Sequence, residues 1–357
     1  MEQLEESTLH PKAVRSYQSK GRLRHEPKTL LRTEFMRDRD RIIHSKAFRR
    51  LSHKTQVFIS PENDHFRTRS THSLEVMQIA TDIAYALRLN RDLTEAISLG
   101  HDLGHSPFGH TGEEALHELY RSILPNGRFF HAEHSLRIVD TLEKRKEGHG
   151  LNLTWETRDG ILNHSKGLTN LSGPTPSDLI PQTLEGQIVR IVDRIAYVSH
   201  DFDDAIQGGS ITWEEVPKKL FSLFSRGTSR VINYFAINIL KNFTKEERIF
   251  LSPAEIEILD LSKQFLTDFV YRHPSFLPSR KQSKEIVRYL FHFFQDHPEE
   301  MTGEPELPRP EWQDSYYGRY RHVVDYIAGM TDRYAISLYD KISNQKESWK
   351  YKVTSRK

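Results

Sequence analysis

EGQIVRIVDRIAYVSHDFDD, Glu185 to Asp204, reads as one helix with two kinds of face. Around it, Leu184, Ile188, Ile191, Val192, Ile195 and Val198 recur at helical spacing and supply apolar sides. Asp193, Tyr197 and Asp201 recur every four residues and therefore share one face. A helix this apolar carries too few polar residues for a solvated surface. The Asp-Tyr-Asp line is better read as the wall of a site.

The same spacing continues outward. Leu74, Met77, Ile79, Ile83 and Leu87 form one helical set, and Leu93, Ala96, Ile97, Gly100 and Leu103 form another. Strand alternation is scarce; Val57 to Ser60 is the best candidate, running into a turn at Pro61–Asp64. Breaks at Pro125-Asn126-Gly127, Leu171–Pro176, Gly208-Gly209 and Pro305–Pro310 are too short for interdomain linkers. The expected fold is all-α: a loosely held polar arm (1–30), a helical core (31–210) and a C-terminal helical region packed on it (211–357).

Composition narrows the function classes. Among 357 residues, 51 Lys and Arg against 49 Asp and Glu give a formal charge of +2, so no global field commits the chain to nucleic acid or membrane. No cysteine is present, which excludes disulfides, iron–sulfur clusters and thiolate zinc sites. The start, MEQLEESTLHPK, lacks the apolar core of a signal peptide, and no run approaches the roughly 20 apolar residues of a membrane span. A soluble, cytoplasmic protein is expected. The 19 histidines are the oddity, because imidazole is the commonest metal ligand and neutral-pH acid–base group.

Three of those histidines fall in GHDLGHSPFGHTGEE, Gly100 to Glu114. A helix over Leu93–Leu103 stopping at Gly104 would put His101 and Asp102 in its last turn, about 100° apart, where both can address one ion. His72 opens a second helix, Thr71–Leu89, which Ser70 or Thr71 can cap. With Asp193, these make two imidazoles and two carboxylates, a donor set suited to an octahedral first-row divalent ion. Plainer readings exist for each part. A His-Asp pair is common, Glu113 beside His110 can complement a helix dipole, Tyr197 can be a core residue, and Asp201, Asp203 and Asp204 can be surface acids.

Six blocks in order, RIIHSKAFRRLSHKTQVF (41–58), TRSTHSLEV (68–76), GHDLGHSPFGHTGEEAL (100–116), ILNHSKG (161–167), DRIAYVSHDFDDAI (193–206) and AGMTDRYAISLYD (328–340), resemble the HD-domain deoxynucleoside triphosphate triphosphohydrolases, the dGTPase family. The resemblance implies a divalent cation (Mn²⁺, Mg²⁺, Co²⁺, Fe²⁺ or Ni²⁺) on His72, His101, Asp102 and Asp193. It implies that His105 and His110 face the α-phosphate, that Glu113 orients His110, and that Arg69 contacts phosphate. It also implies that Gln56 and Asp201 bind the sugar 3′-hydroxyl and that Tyr197 lies beneath the deoxyribose. His105 is read as a phosphate hydrogen-bond donor rather than a second acid–base group. Arg49, Lys54, Lys166 and Arg194 are further candidates for the outer phosphates. The expected partners are a dNTP substrate and copies of the same chain, as in a hexamer.

FFHAEHSLR departs from the family's usual block, so His131, Glu133 and His134 either retune the pocket or simply begin a polar helix. The chain is also shorter than many relatives, which leaves a nucleotide effector site open. Two other functions compete: another HD phosphohydrolase (a monophosphatase or phosphodiesterase), and a silent nucleotide- or single-strand-binding scaffold. The sugar set of Gln56, Tyr197 and Asp201 argues against the first. The full ligand set with His110 and Glu113 argues against the second, and the charge of +2 disfavours a large nucleic-acid footprint.

Overall fold

The computed structural model describes residues 2–56, 67–146, 148–165, 176, 179–274, 277–302 and 316–354. It is all-α, as the periodicity predicts. The first eight helices are α1 (Glu2–Thr8), α2 (Glu34–Ile43), α3 (Lys46–Arg50), α4 (Arg69–Ala86), α5 (Arg91–Gly100), α6 (Gly109–Ile123), α7 (His131–Arg137) and α8 (Trp155–Asn163). There follow α9 (Leu184–Gln207), α10 (Lys218–Phe224), α11 (Thr228–Glu246), α12 (Pro253–Leu266), α13 (Leu277–Asp296), α14 (Tyr316–Ala328) and α15 (Asp332–Thr354). Among the described residues the sheet content is one hairpin, with Lys144 paired to His149 and Arg145 to Gly148. The strand candidate Val57–Ser60 lies outside the described residues.

The long helix α9 is the axis of the molecule, packing against α4, α5, α8, α11 and α12. Its apolar sides carry that packing: Ile188, Val192, Ile195 and Val198 are all buried in the largest core cluster. Truncating one of them, as in Ile195→Ala, would cost about 2–5 kcal/mol. Thr183 starts the helix by accepting the Gly186 N–H on its side chain. A second cluster, with Leu116, Phe291, Phe294, Val323 and Ile327, joins α6 to α13 and α14. A third, with Ile42, Leu99, Leu103, Ile138 and Ile161, underlies the His-Asp turn.

Three local expectations are corrected. Helix α4 begins at Arg69 rather than Thr71, because Thr68 and Thr71 form a reciprocal capping box one turn earlier. Helix α5 ends at Gly100 rather than Leu103, so His101 is its C-cap. Gly104 is therefore no helix stop; a Cβ there would lie 2.2 Å from the Ser135 nitrogen, and its absence lets the turn press onto α7. The N-terminal segment is not loosely held. Glu5 is buried and accepts from the Ser16 N–H at 2.8 Å and from Asn90 at 3.0 Å. Arg22 meets the buried Asp38 at 2.5 Å. Glu5, Ser16 and Arg22 of the arm are partners of one another or of buried polar groups in the core, whereas Arg24, His25 and Lys28 stay exposed. No described helix is long and apolar enough to cross a membrane.

Candidate active site

The end of α5 and the start of α4 converge on Asp193 of α9. His101 closes α5, donates its Nδ1–H to the Ser98 carbonyl at 2.6 Å, and so presents Nε2 as a lone pair. That Nε2 lies 3.3 Å from Asp102 Oδ1 and 3.6 Å from Asp193 Oδ1. His72, in the first turn of α4, brings Nε2 to 3.1 Å from Asp193 Oδ1. His72, His101 and Asp102 are buried. Burial opposes the Asp102 charge, but His101, His105 and Arg69 outweigh it and hold the carboxyl well below its ordinary range. Asp193 is likewise lowered against burial, first by its hydrogen bond to His72 and then by His101. Burial pulls His72 down, and the bond to Asp193 reverses the shift so that it rises.

These donors suit a divalent cation. The ligand atoms of His72, His101 and Asp193 lie within 4.8 Å of one another, as do those of His101, Asp102 and His164. The Nε2 atoms of His101 and His164 are buried without a hydrogen-bond partner. Leaving such a group unpaired costs about 1–3 kcal/mol, and an electron-pair acceptor placed between them relieves that cost.

Next to this cluster stand the phosphate-facing candidates. Arg69 is buried, with Nη1 at 2.9 Å from Asp102 Oδ2, while its Nε has no partner. Gly109, at φ +54°, passes close enough that a Cβ would sit 3.2 Å from Arg69 Nη2. His105 lies 3.2 Å from Asp102, and burial followed by Arg69 holds it neutral, well below its ordinary value. Glu113 takes the His131 N–H at 2.8 Å, His131 Nδ1 at 3.0 Å and His110 Nδ1 at 3.3 Å. One carboxylate therefore orients two imidazoles. Burial lowers His131, yet the Glu113 charge raises it above its ordinary value. The side chain of His110 is 44% exposed, so of this pair it is the one that solvent and a ligand can reach.

The sugar-side candidates continue along α9. The Tyr197 ring centre is 6.3 Å from that of His110 and 5.9 Å from that of Tyr271. Asp201 is buried, which pushes its carboxyl up to about 7, and it accepts the Tyr271 hydroxyl at 2.5 Å. Gln56 is buried with an unpartnered Oε1, and its backbone oxygen borders Gly109.

The outer-phosphate candidates fare differently. Lys54 is buried, with its ammonium donating to the His105 and Ala328 carbonyls, and burial pushes it down to about 7. It braces the loop against α14. Arg49 is exposed on α3 rather than buried with the cluster, and Lys166 lies outside the described residues. Arg194 is half-buried next to Asp193; after burial itself, it is the main influence lowering Lys263 on α12 to about 8. Of the divergent block, His131 enters the site and His134 sits 3.7 Å from Asp325, away from it. Glu133 pairs with Arg128 at the surface.

Four residues of this neighbourhood were not singled out for roles in the sequence: His164, Tyr271, Lys263 and Asp332. His164 and Asp332 fall inside the ILNHSKG and AGMTDRYAISLYD blocks, so a signal existed for both. Tyr271 and Lys263 come from the C-terminal region, where no motif marks them.

Residues 69–198 match the HD domain, and residues 249–341 match the phosphohydrolase-associated domain. Several curated relatives are similar over nearly the whole chain, each a deoxyguanosinetriphosphate triphosphohydrolase-like protein. That of Caldanaerobacter subterraneus is 49% identical, covering 96% of this chain and 94% of its own. That of Desulfatibacillum aliphaticivorans is 43% identical, covering 96% of each. A Clostridium perfringens relative is also 43% identical, with the same coverage.

Proposed function

This chain belongs to the HD-domain family of deoxyguanosinetriphosphate triphosphohydrolase-like proteins, and from that premise we propose that it hydrolyses deoxynucleoside triphosphates to a deoxynucleoside and inorganic triphosphate. One observation carries the reading. A single face of α9 runs from Asp193 in the carboxylate–imidazole cluster, past Tyr197, to Asp201, each step being one helical turn or about 6 Å. A nucleotide with its α-phosphate at the cluster would lay its sugar on Tyr197 and its 3′-hydroxyl against Asp201.

In this reading His72, His101, Asp102 and Asp193 hold a divalent cation, which supplies charge neutralisation and Lewis-acid polarisation at the phosphoryl group. Arg69, fixed on one side by Asp102, turns its remaining N–H groups to phosphate oxygens. Arg194 and Lys263 place two neighbouring cations on α9 and α12, which suits the outer phosphates of a polyanion. His110, aimed by Glu113, delivers a proton to the departing 5′-oxygen, and His131 on the same carboxylate keeps a second proton at hand. Asp201 accepts the 3′-hydroxyl. The Tyr197 ring under C2′ leaves a ribose 2′-hydroxyl without a partner, which costs about 1–3 kcal/mol before any clash. Association into a homo-oligomer belongs to the same reading and is open to light scattering.

The test is to incubate the Mn²⁺-loaded protein and its Tyr197→Ala variant with each dNTP and NTP. Turnover confined to dNTPs, with a deoxy-to-ribo ratio of kcat/KM that narrows in Tyr197→Ala, supports the proposal. Equal use of GTP and dGTP by the wild type contradicts it.

A further inference from the structure

We propose that His164 is a fifth side-chain donor to the divalent-cation centre, presenting its Nε2 lone pair beside those of His101 and Asp102. The inference rests on the reading of His72, His101, Asp102 and Asp193 as that centre. It adds a residue from a different helix.

The construction begins in the packing of α5 against α8. A Cβ on Gly160 would lie 2.5 Å from Ile97 Cδ1, and one on Gly100 would lie 2.5 Å from Ile161 Cδ1. Each helix thus puts a glycine against the other's isoleucine, and the two C-terminal ends close together. Each end is capped by a histidine, His101 on α5 and His164 on α8. Each ring donates Nδ1–H to the carbonyl three residues back, to Ser98 at 2.6 Å and to Ile161 at 2.7 Å. The two sites are built alike.

That shared bond decides what Nε2 can do. With the proton on Nδ1, Nε2 is a lone pair and has no hydrogen to give a phosphate oxygen. Both Nε2 atoms are buried and unpartnered, and His164 is only 1% exposed. The rings meet edge to face at 5.0 Å, and the ligand atoms of His101, Asp102 and His164 fall within 4.8 Å of one another. Two lone pairs and a carboxylate sharing one dry space call for an electron-pair acceptor. Capping of α8 explains the Nδ1 bond. It does not explain why a bare nitrogen is buried facing a carboxylate.

The two nitrogens can be separated by substitution. Asparagine keeps an N–H near the Nδ1 position but loses the distal donor, whereas the glutamine amide oxygen reaches toward the Nε2 position. We expect His164→Asn to weaken Mn²⁺ binding by about tenfold or more, the scale of a lost supporting ligand. Its metal-free melting temperature should hold, and His164→Gln should bind Mn²⁺ nearly as wild type does. Binding would be read from the free Mn²⁺ electron paramagnetic resonance signal in titrations of the full chain. A pure capping role reverses the order, with His164→Asn harmless and His164→Gln melting lower. Either wild-type affinity in His164→Asn or an equal loss in both variants overturns the inference. A wild-type protein that binds no Mn²⁺ contradicts the metal centre itself, and His164's place in it falls too.

Discussion

Asp332, the first residue of α15, accepts the backbone N–H of Phe108 at 3.0 Å on one oxygen. Its other oxygen takes the Thr55 N–H at 3.1 Å and the Thr55 hydroxyl at 2.7 Å. Phe108 is left-handed at φ 63° and precedes the helix that carries His110 and Glu113. Thr55 precedes Gln56. One carboxylate from the far end of the chain thereby fixes two walls of the site. Asp332→Ala leaves three donors unanswered and should cost at least about 2 kcal/mol in urea unfolding. Turnover should fall while cation affinity stays. A variant as stable as wild type would show that Asp332 is no clamp.

Removal of the cation is the next check. The close approach of Asp102 and Asp193 to His101 Nε2, at 3.3 and 3.6 Å, suits a shared positive ion. Chelation should abolish hydrolysis, with Mn²⁺, Co²⁺ or Mg²⁺ restoring it. Asp102→Ala and Asp193→Ala should lose both bound metal and turnover. Full activity in a verified metal-free preparation would sink this part.

The sequence made some of this legible. The stripe of Asp193, Tyr197 and Asp201 needed one helix and its period, and the other three proposed ligands needed only the ends of two more helices. What stayed hidden depends on distant pairings. Tyr271 reaches Asp201 across 70 residues, and Asp332 reaches Phe108 across 224. The charge of Lys54, a candidate for the outer phosphates, is visible in the sequence, and its burial against α14 is not. His164 shows the same limit, since no periodicity reveals that α5 and α8 end side by side. Gly104 was misread because close approach to α7 and helix termination both call for glycine.

Sharing of Glu113 separates two variants. His110→Ala removes the exposed imidazole alone and should cut kcat by about 10² or more with metal binding intact. Glu113→Gln releases both His110 and His131, so it should do at least as much damage and also shift the pH profile of kcat. Burial lowers His131 and Glu113 raises it above its ordinary value; without that carboxylate its proton leaves at lower pH. An unmoved pH profile in Glu113→Gln would contradict the coupling.

Asp201 should make the metal-free, ligand-free protein less stable as pH rises. Its carboxyl is pushed by burial from an ordinary 3.8 up to about 7. Between those values the folded chain holds a proton that the unfolded chain has released, so unfolding free energy declines with increasing pH through that window. Asp201→Asn removes the penalty while keeping an acceptor for the Tyr271 hydroxyl. Its stability relative to wild type should therefore improve from pH 5 to pH 8, as its use of dGTP falls. An equal offset at both pH values would place Asp201 outside this role.

Hydrolysis of dGTP in ¹⁸O-labelled water reports which bond this site breaks. Attack of water at the α-phosphorus breaks its bond to the 5′-oxygen, so the label should leave in intact triphosphate with unlabelled deoxyguanosine. Label in the nucleoside, or release of pyrophosphate with the monophosphate, would contradict it.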